Sequence, residues 1–285
     1  MGRRRGLTVA IGAVLLGAAL TALPTGPASA GAGQAAASSV VCSSSSHPAL
    51  AAKIGRDIQA ARRGRVSTVA VAVDDPSLGL GCWLDRFSSF DSASVIKVTI
   101  LAALLRKAED QHRQLTATEA ARAKLMITRS DNDAASALWA ELGRRYLQHF
   151  LDVAAMRHTS LGPGAAWGLT QITANDQVVL LRLLLDSNTV LNTASRSYAL
   201  KLMAEVIPAQ RWGVPAGVPS GLTVHVKNGW LPLPTHGWRI HSIGLFTGHG
   251  GNYSIVVLTQ DNPTMTYGIT TIQAIARAIN HDLRS

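Results

Sequence analysis

Phe90–Ala108, FDSASVIKVTILAALLRKA, is the stretch on which the reading of this chain turns. From Ser94 to Ala108 it is apolar on nearly every side, and a helix of that kind is buried. Ser94 opens the helix, where unpaired backbone N–H groups favour developing negative charge. Lys97 follows three residues on, one turn away on the same face. Its neighbours are Ile96 and Val98, so the ammonium needs a partner. A lysine held in a partly desolvated cleft near another cation loses its proton readily and can take the proton of Ser94. A Ser followed by Lys at this spacing arises about 0.5 times by chance in such a chain. Alone, the pair is equally an ordinary capped helix with a surface lysine.

Working outward, Pro48–Arg63 carries Leu50, Ile54, Ile58 and Ala61 at helical spacing, and Gly64 closes it. Val66–Val73 alternates with Val69, Val71 and Val73 on one face. Pro76 and Gly79 mark a turn, and Leu80–Leu84 is a returning strand. Downstream, helical patterns cover Thr118–Ile127, Asp133–Leu142, Tyr146–Met156, Ala174–Leu185 and Ala194–Val206, with a Gly- and Pro-containing loop at Thr159–Leu169. Strands resume at Thr223–Lys227, Trp238–Phe246 and Tyr253–Thr259, and a last helix spans Thr270–Asp282. The order predicts an α/β fold. One antiparallel sheet (48–93 and 215–285) is flanked by the terminal helices, and an all-helical lobe (94–214) is inserted into it. A cleft between such lobes is a natural binding place.

Two more short motifs lie in that frame. Ser130-Asp131-Asn132 sits between two helices, and its plain reading is a helix N-cap. Lys227-Asn228-Gly229 ends a strand, and its plain reading is an Asn-Gly hairpin turn. All three motifs together arise by chance about once in a thousand chains, before order and context are required. The set resembles the active-site-serine penicillin-recognising superfamily, and most closely its class A β-lactamase-like branch, which carries S-x-x-K, S-D-N and K-T-G in this order. The resemblance covers most of residues 48–285 and implies a β-lactamase/transpeptidase-like fold. It makes Ser94 the acylated nucleophile and Lys97 its proton acceptor. Ser130 relays a proton to the leaving nitrogen, and Asn132 orients the substrate amide and Lys97. Lys227 directs positive charge to Ser130 and to a substrate carboxylate. Asn228 and Gly229 line the substrate strand, Gly229 allowing close approach. The N–H groups of Ser94 and Trp230 form an oxyanion hole worth about 3–4 kcal/mol per donor. Arg239 is a second anchor for a substrate carboxylate, with a solvated strand arginine as the alternative. No cofactor or metal is implied.

Some positions depart from the family pattern. Asn228 stands where Thr or Ser is usual, and Trp230 begins a bulky segment, Leu231-Pro232-Leu233-Pro234, where small polar residues usually lie. The family activates its hydrolytic water with a Glu on the loop corresponding to Thr159–Thr173. Here that loop contains neither Asp nor Glu. Acylation has its parts and release of the acyl group lacks its base, so slow deacylation is expected.

Arg3-Arg4-Arg5, the uncharged apolar run Leu7–Leu23 and Ala28-Ser29-Ala30 compose a signal peptide at 1–30, cleaved after Ala30. Residues 31–47, ending in Ser43–Ser46, read as a flexible Ser/Ala-rich leader before the catalytic domain at 48–285. Export makes a bridge between Cys42 and Cys82, the only two cysteines, chemically permissible; two unpaired thiols are the alternative. The net charge of +10 includes the three signal-peptide arginines, and no basic run is interleaved with aromatics, so nucleic acid is not an expected partner. A secreted monomer is expected, with no stable membrane anchor once the signal is removed. Its expected partner is a small-molecule or peptide substrate, and its basic surface would suit the cell wall. Three readings follow. The first is a serine hydrolase acting on an amide or ester, β-lactam or D-alanyl-peptide-like. The second is a wall-peptide or β-lactam binding protein without turnover. The third is a wall-associated structural module.

Overall fold

The computed structural model describes residues 38–248 and 251–283. The expected signal peptide and its cleavage site lie outside them. Six strands form one antiparallel sheet: β1 (Val41–Ser44), β2 (Thr68–Asp75), β3 (Leu80–Leu84), β6 (Leu222–Pro232), β7 (Trp238–Gly248) and β8 (Tyr253–Asn262), in spatial order β1-β3-β2-β8-β7-β6. A second, two-stranded ladder pairs β4 (Phe90–Asp91) with β5 (Gln171–Ile172). The helices are α1 (Pro48–Ala61), α2 (Ile96–Asp110), α3 (Ala117–Thr128), α4 (Asn132–Val153), α5 (Ala174–Leu185), α6 (Thr193–Ala204) and α7 (Met265–Asp282).

The terminal helices α1 and α7 pack on each other, and α7 lies on β7 and β8. Ile54 and Ile58 of α1 and Ile272, Ile275 and Ile279 of α7 are all fully buried. Helix α5 covers β2 and β8. Because the sheet is covered on both faces, the alternation expected in β2 is replaced by continuous burial. Ala70 and Ala72 are as buried as Val69, Val71 and Val73. Helices α2, α3, α4 and α6 pack among themselves and form the inserted helical region. The Asp133–Leu142 and Tyr146–Met156 patterns belong to one element, α4, kinked at Gly143, whose φ of 72° and ψ of 153° are non-helical.

The leader reading fails at its C-terminal end. Val41–Ser44 is not loose chain but the edge strand β1, paired with β3 in register Cys42↔Cys82. That register brings the two cysteines together, and they form a disulfide. Ser-rich composition was outweighed by the cross-link and by Val41 and Cys42, which suit a strand. In the chain-entropy model, closing a loop across a separation of 40 residues contributes roughly 4 kcal/mol. Replacing both cysteines by Ser should therefore lower stability by up to about 4 kcal/mol, read by chemical denaturation. Identical midpoints for the two proteins would mean that β1 holds without its bridge.

Candidate active site

Ser94 lies two residues ahead of α2, in a 3-10 turn over Ala93–Val95. Its position is enforced from both sides. Ser92 N–H donates to Thr170 O at 2.8 Å, and Ala93 takes a φ of 46°, a left-handed conformation that costs an alanine of order 1 kcal/mol. Ser130 has a φ of 57° and is likewise left-handed. Asp131 after it caps α4, accepting Ala134 N–H at 2.7 Å. Two strained residues thus stand at the ends of the two segments that carry the motifs.

The lysines join those segments. Lys97, fully buried, donates through Nζ to Ser130 O at 2.7 Å, to Asn132 Oδ1 at 2.7 Å and to Ser130 Oγ at 3.3 Å. Lys227, also fully buried, donates to the same Ser130 Oγ at 2.9 Å and to Asn228 O at 2.9 Å. A hydroxyl has two lone pairs and one proton. Both lone pairs of Ser130 are occupied by amines, so its own proton is left to be given away. Desolvation lowers the Lys97 pKa to about 8, against the opposing charge of Asp131. Desolvation, with the charge of Lys97 added, pushes Lys227 well below the ordinary lysine value. The charge of Lys97 thus makes Lys227 easier to deprotonate.

Strand β6 completes the assembly. The 3-10 turn rests on β6, and an added Cβ on Gly229 would lie 3.0 Å from both Ser94 N and Val95 N and 3.1 Å from Ser92 O. These are backbone atoms that cannot swing aside. Gly229→Ala should retain the fold and slow any reaction at Ser94 by less than about 100-fold, because the turn must give by a fraction of the roughly 1 Å misplacement that costs that much. An unaltered labelling rate at Ser94 would show that the contact has no bearing on the site.

The cleft beside Ser94 holds about 280 Å³ and is bounded by Asn132, Trp167, Leu169, Trp230 and Leu231. Trp167 comes from the loop Thr159–Thr173, and its ring stands over the Lys97 ammonium, 4.8 Å from centroid to Nζ. The loop is rigidly tied. Arg144 donates to Gly162 O at 2.7 Å, Trp139 Nε1 to Gly164 O at 3.1 Å, and Trp167 Nε1 to Ser136 Oγ at 3.1 Å. At its ends, Thr159 Oγ1 and His158 N–H donate to the buried carboxylate of Asp176, each at 2.8 Å. Asp176 anchors the loop, and among the described residues no carboxylate is a hydrogen-bond partner of Lys97 or Lys227.

Two expected substrate contacts are overturned. Asn228 is buried, and its amide donates to Gln210 O at 2.9 Å and Trp212 O at 2.8 Å, bracing the segment ahead of β6 instead of the cleft. Strand alternation explains this: Lys227 and Gly229 share one face and Asn228 takes the other. Lys227-Asn228-Gly229 is strand interior, not a hairpin turn, since β6 continues to Pro232. Arg239 is neither a free anchor nor solvated. It is 2% exposed, donates from Nε to Asp91 Oδ2 at 2.8 Å and from Nη1 to Gly237 O at 3.1 Å, and bonds Thr235 O. Ser94, Lys97, Ser130, Asn132, Lys227, Gly229 and Trp230 are brought together.

Trp167 and Asp91 escaped the sequence reading of the site. Asp91 accepts Arg239 and also Gln171 Nε2 at 2.7 Å, holding β4 against the loop. His241 is fully buried, and desolvation lowers its pKa to about 4. It bonds Asp91 O through Nε2 at 2.8 Å and accepts Thr259 N–H at Nδ1 at 3.1 Å. That leaves it no role as a general base. Among the described residues there is no group of three or more His, Cys, Asp or Glu able to hold a metal ion, and no helix long and apolar enough to cross a membrane.

A model of the β-lactamase enzyme family matches residues 118–283. No curated protein sequence matches the chain. Among solved structures it is similar to a β-lactamase from Sphaerobacter thermophilus, with a TM-score of 0.71 at 20% identity over 82% of this chain and 97% of that one. A class A β-lactamase from Bacteroides cellulosilyticus gives a TM-score of 0.70 at 17% identity, covering 81% of this chain and 97% of the other. The putative class A β-lactamase PenP from Rhodopseudomonas palustris gives 0.69 at 19% identity, covering 79% and 98%. At these identities the structures speak for the fold.

Proposed function

The chain belongs to the β-lactamase enzyme family, and on that premise we propose that it is an exported serine hydrolase working through an acyl-enzyme on Ser94. The observation that carries this reading is the convergence of Lys97 and Lys227 on the Ser130 hydroxyl, at 3.3 and 2.9 Å, with Lys97 also on Asn132, which lines one cleft with Ser94. Ser94 Oγ attacks the acyl carbonyl of an amide or ester, β-lactam or D-alanyl-peptide-like, while neutral Lys97 takes its proton. The N–H groups of Ser94 and Trp230 receive the developing oxyanion. The C–N or C–O bond then breaks, the leaving group takes the Ser130 proton, and Lys97 returns its own to Ser130. Asn132 holds Lys97 and orients the substrate.

Release is the slow step, because water must lose a proton near Ser94 and the loop supplies no carboxylate. The same absence, with Trp167 over Lys97, favours a second reading: a protein that captures wall peptides or β-lactams by acylation and does not turn them over. Intact-mass spectrometry with benzylpenicillin and with a fluorophosphonate tests both. One adduct per chain is expected on Ser94, absent from Ser94→Ala. Slow decay of the penicillin adduct supports the hydrolase and indefinite persistence the capturing protein. Rapid multiple turnover of a chromogenic cephalosporin would contradict slow release, and no adduct with either probe would remove both readings. Export is tested by the N-terminus of the secreted protein, expected at Gly31; an intact Met1 would refute it.

A further inference from the structure

A second cavity lies among α2, α3 and α6 and shares none of its lining residues with the Ser94 cleft. It holds about 380 Å³, within the range of small-molecule sites. Leu105 and Ala108, buried on α2, line it together with Leu115, Ala120 and Tyr198. Its rim is fixed in place. Glu119 closes a capping box with Thr116 at the start of α3, and Asn192 caps α6 by accepting Ser195 N–H at 3.0 Å.

The two charged side chains on its wall, Arg113 and Glu109, are differently engaged. Arg113 is committed: Nη1 and Nη2 each donate to the Glu119 carboxylate at 2.7 Å, Nη1 also to Gln114 O at 3.0 Å, and Nε to Gln111 Oε1 at 2.8 Å. The half-buried carboxylate of Glu109 accepts only Asn192 N–H among the described residues, at 3.1 and 3.3 Å. A carboxylate offers about four acceptor sites, so most of its capacity is unfilled. The cations beside it in sequence turn elsewhere. Arg106 pairs with Asp110 and with the carbonyls of Thr189 and Val190, and Lys107 donates to Glu141 O. Cations are not scarce in a chain with 27 Lys and Arg against 17 Asp and Glu, yet this carboxylate has none.

We propose that this cavity binds a small organic cation, an ammonium carried on an aromatic or aliphatic body. The ammonium donates to Glu109 in a charge-assisted hydrogen bond, and the body covers the apolar wall of Leu105, Leu115 and Tyr198. An anion would meet Glu109 with Arg113 already held by Glu119, and an uncharged body forfeits the ion pair. The site stands independently of the chemistry at Ser94.

Phenylbutylammonium, phenylbutanol and phenylbutyrate share one body and differ in charge. Their Kd values for the full chain, from isothermal titration calorimetry, test the proposal. The ammonium is expected to bind about tenfold more tightly than the alcohol, the scale of one hydrogen bond to a charged group. Glu109→Gln should bring the ammonium down to the level of the alcohol. Ala194→Phe adds bulk at an exposed position of the lining and should weaken the ammonium and the alcohol alike. Melting curves of both variants show that each is folded. Absence of saturable ammonium binding, equal affinity for the alcohol, or tighter binding of the butyrate would each overturn the proposal. So would ammonium binding undiminished in folded Glu109→Gln or Ala194→Phe.

Discussion

Lys97→Met should slow acylation of Ser94 by about 1,000-fold, the scale of a lost general base, and yet leave a protein at least as stable at pH 7. The two effects have one origin. Burial lowers the Lys97 pKa from 10.5 to about 8. Below pH 8 the folded and unfolded states both bind the proton, so the burial penalty is fully present. Between 8 and 10.5 only the unfolded state keeps it, and stability rises with pH; above 10.5 the penalty has gone. At pH 7 it amounts to about 3 kcal/mol. Met removes it but leaves Ser130 O and Asn132 Oδ1 without their donor, at about 1 kcal/mol each. The penalty wins by about 1 kcal/mol. In the unmutated protein, acylation should climb roughly tenfold per pH unit below 8 and level above it, because only neutral Lys97 accepts a proton. Labelling rates from pH 5.5 to 9.5 and urea denaturation at pH 7 check both halves. Acylation of Lys97→Met within tenfold of the parent would exclude Lys97 as the base.

What the sequence disclosed of this site follows from how local each feature is. Ser94 and Lys97 lie one turn apart, and the apolar residues around Lys97 already required a partner. Its partner, Ser130, was legible as a motif but not as a contact, since folding alone brings them together. Asn228 could have been placed correctly: a side chain between two residues that face the cleft faces away from it. Arg239 could not, because Asp91 is remote in sequence and their pairing depends on how β4 lies against β7. Trp167 was visible only as an aromatic in an acid-free loop. Its place over Lys97 comes from Gly162, where a side chain would strike Ala166 O, and from the anchors at Arg144, Trp139 and Asp176. The strand β1 was hidden by serines, and only its register with β3 explains Cys42 and Cys82.

Trp167→Glu should shorten the lifetime of a Ser94 acyl adduct by about 100-fold, the contribution of a positioned general base. The indole now covers the flank of Lys97, and in the proposed mechanism two separate causes of slow release would be combined in it: the ring excludes water, and it is not a base. Trp167→Ala separates them. It opens room for water but supplies nothing to deprotonate it, so the adduct should persist within tenfold of the parent. Glu at the same point supplies a carboxylate within reach of the Lys97 ammonium, and such a pairing favours the charged lysine. Acylation at pH 7 should therefore fall while deacylation rises, and the pH midpoint for acylation should move above 8. That opposite movement distinguishes a new base from a generally loosened site, which would slow both steps. Penicillin adducts timed by intact mass, with acylation measured on the same variants, give both rates. Equal adduct lifetimes in Trp167→Glu and the parent would show that release is limited by something other than the missing carboxylate. A short lifetime in Trp167→Ala would assign it to the exclusion of water.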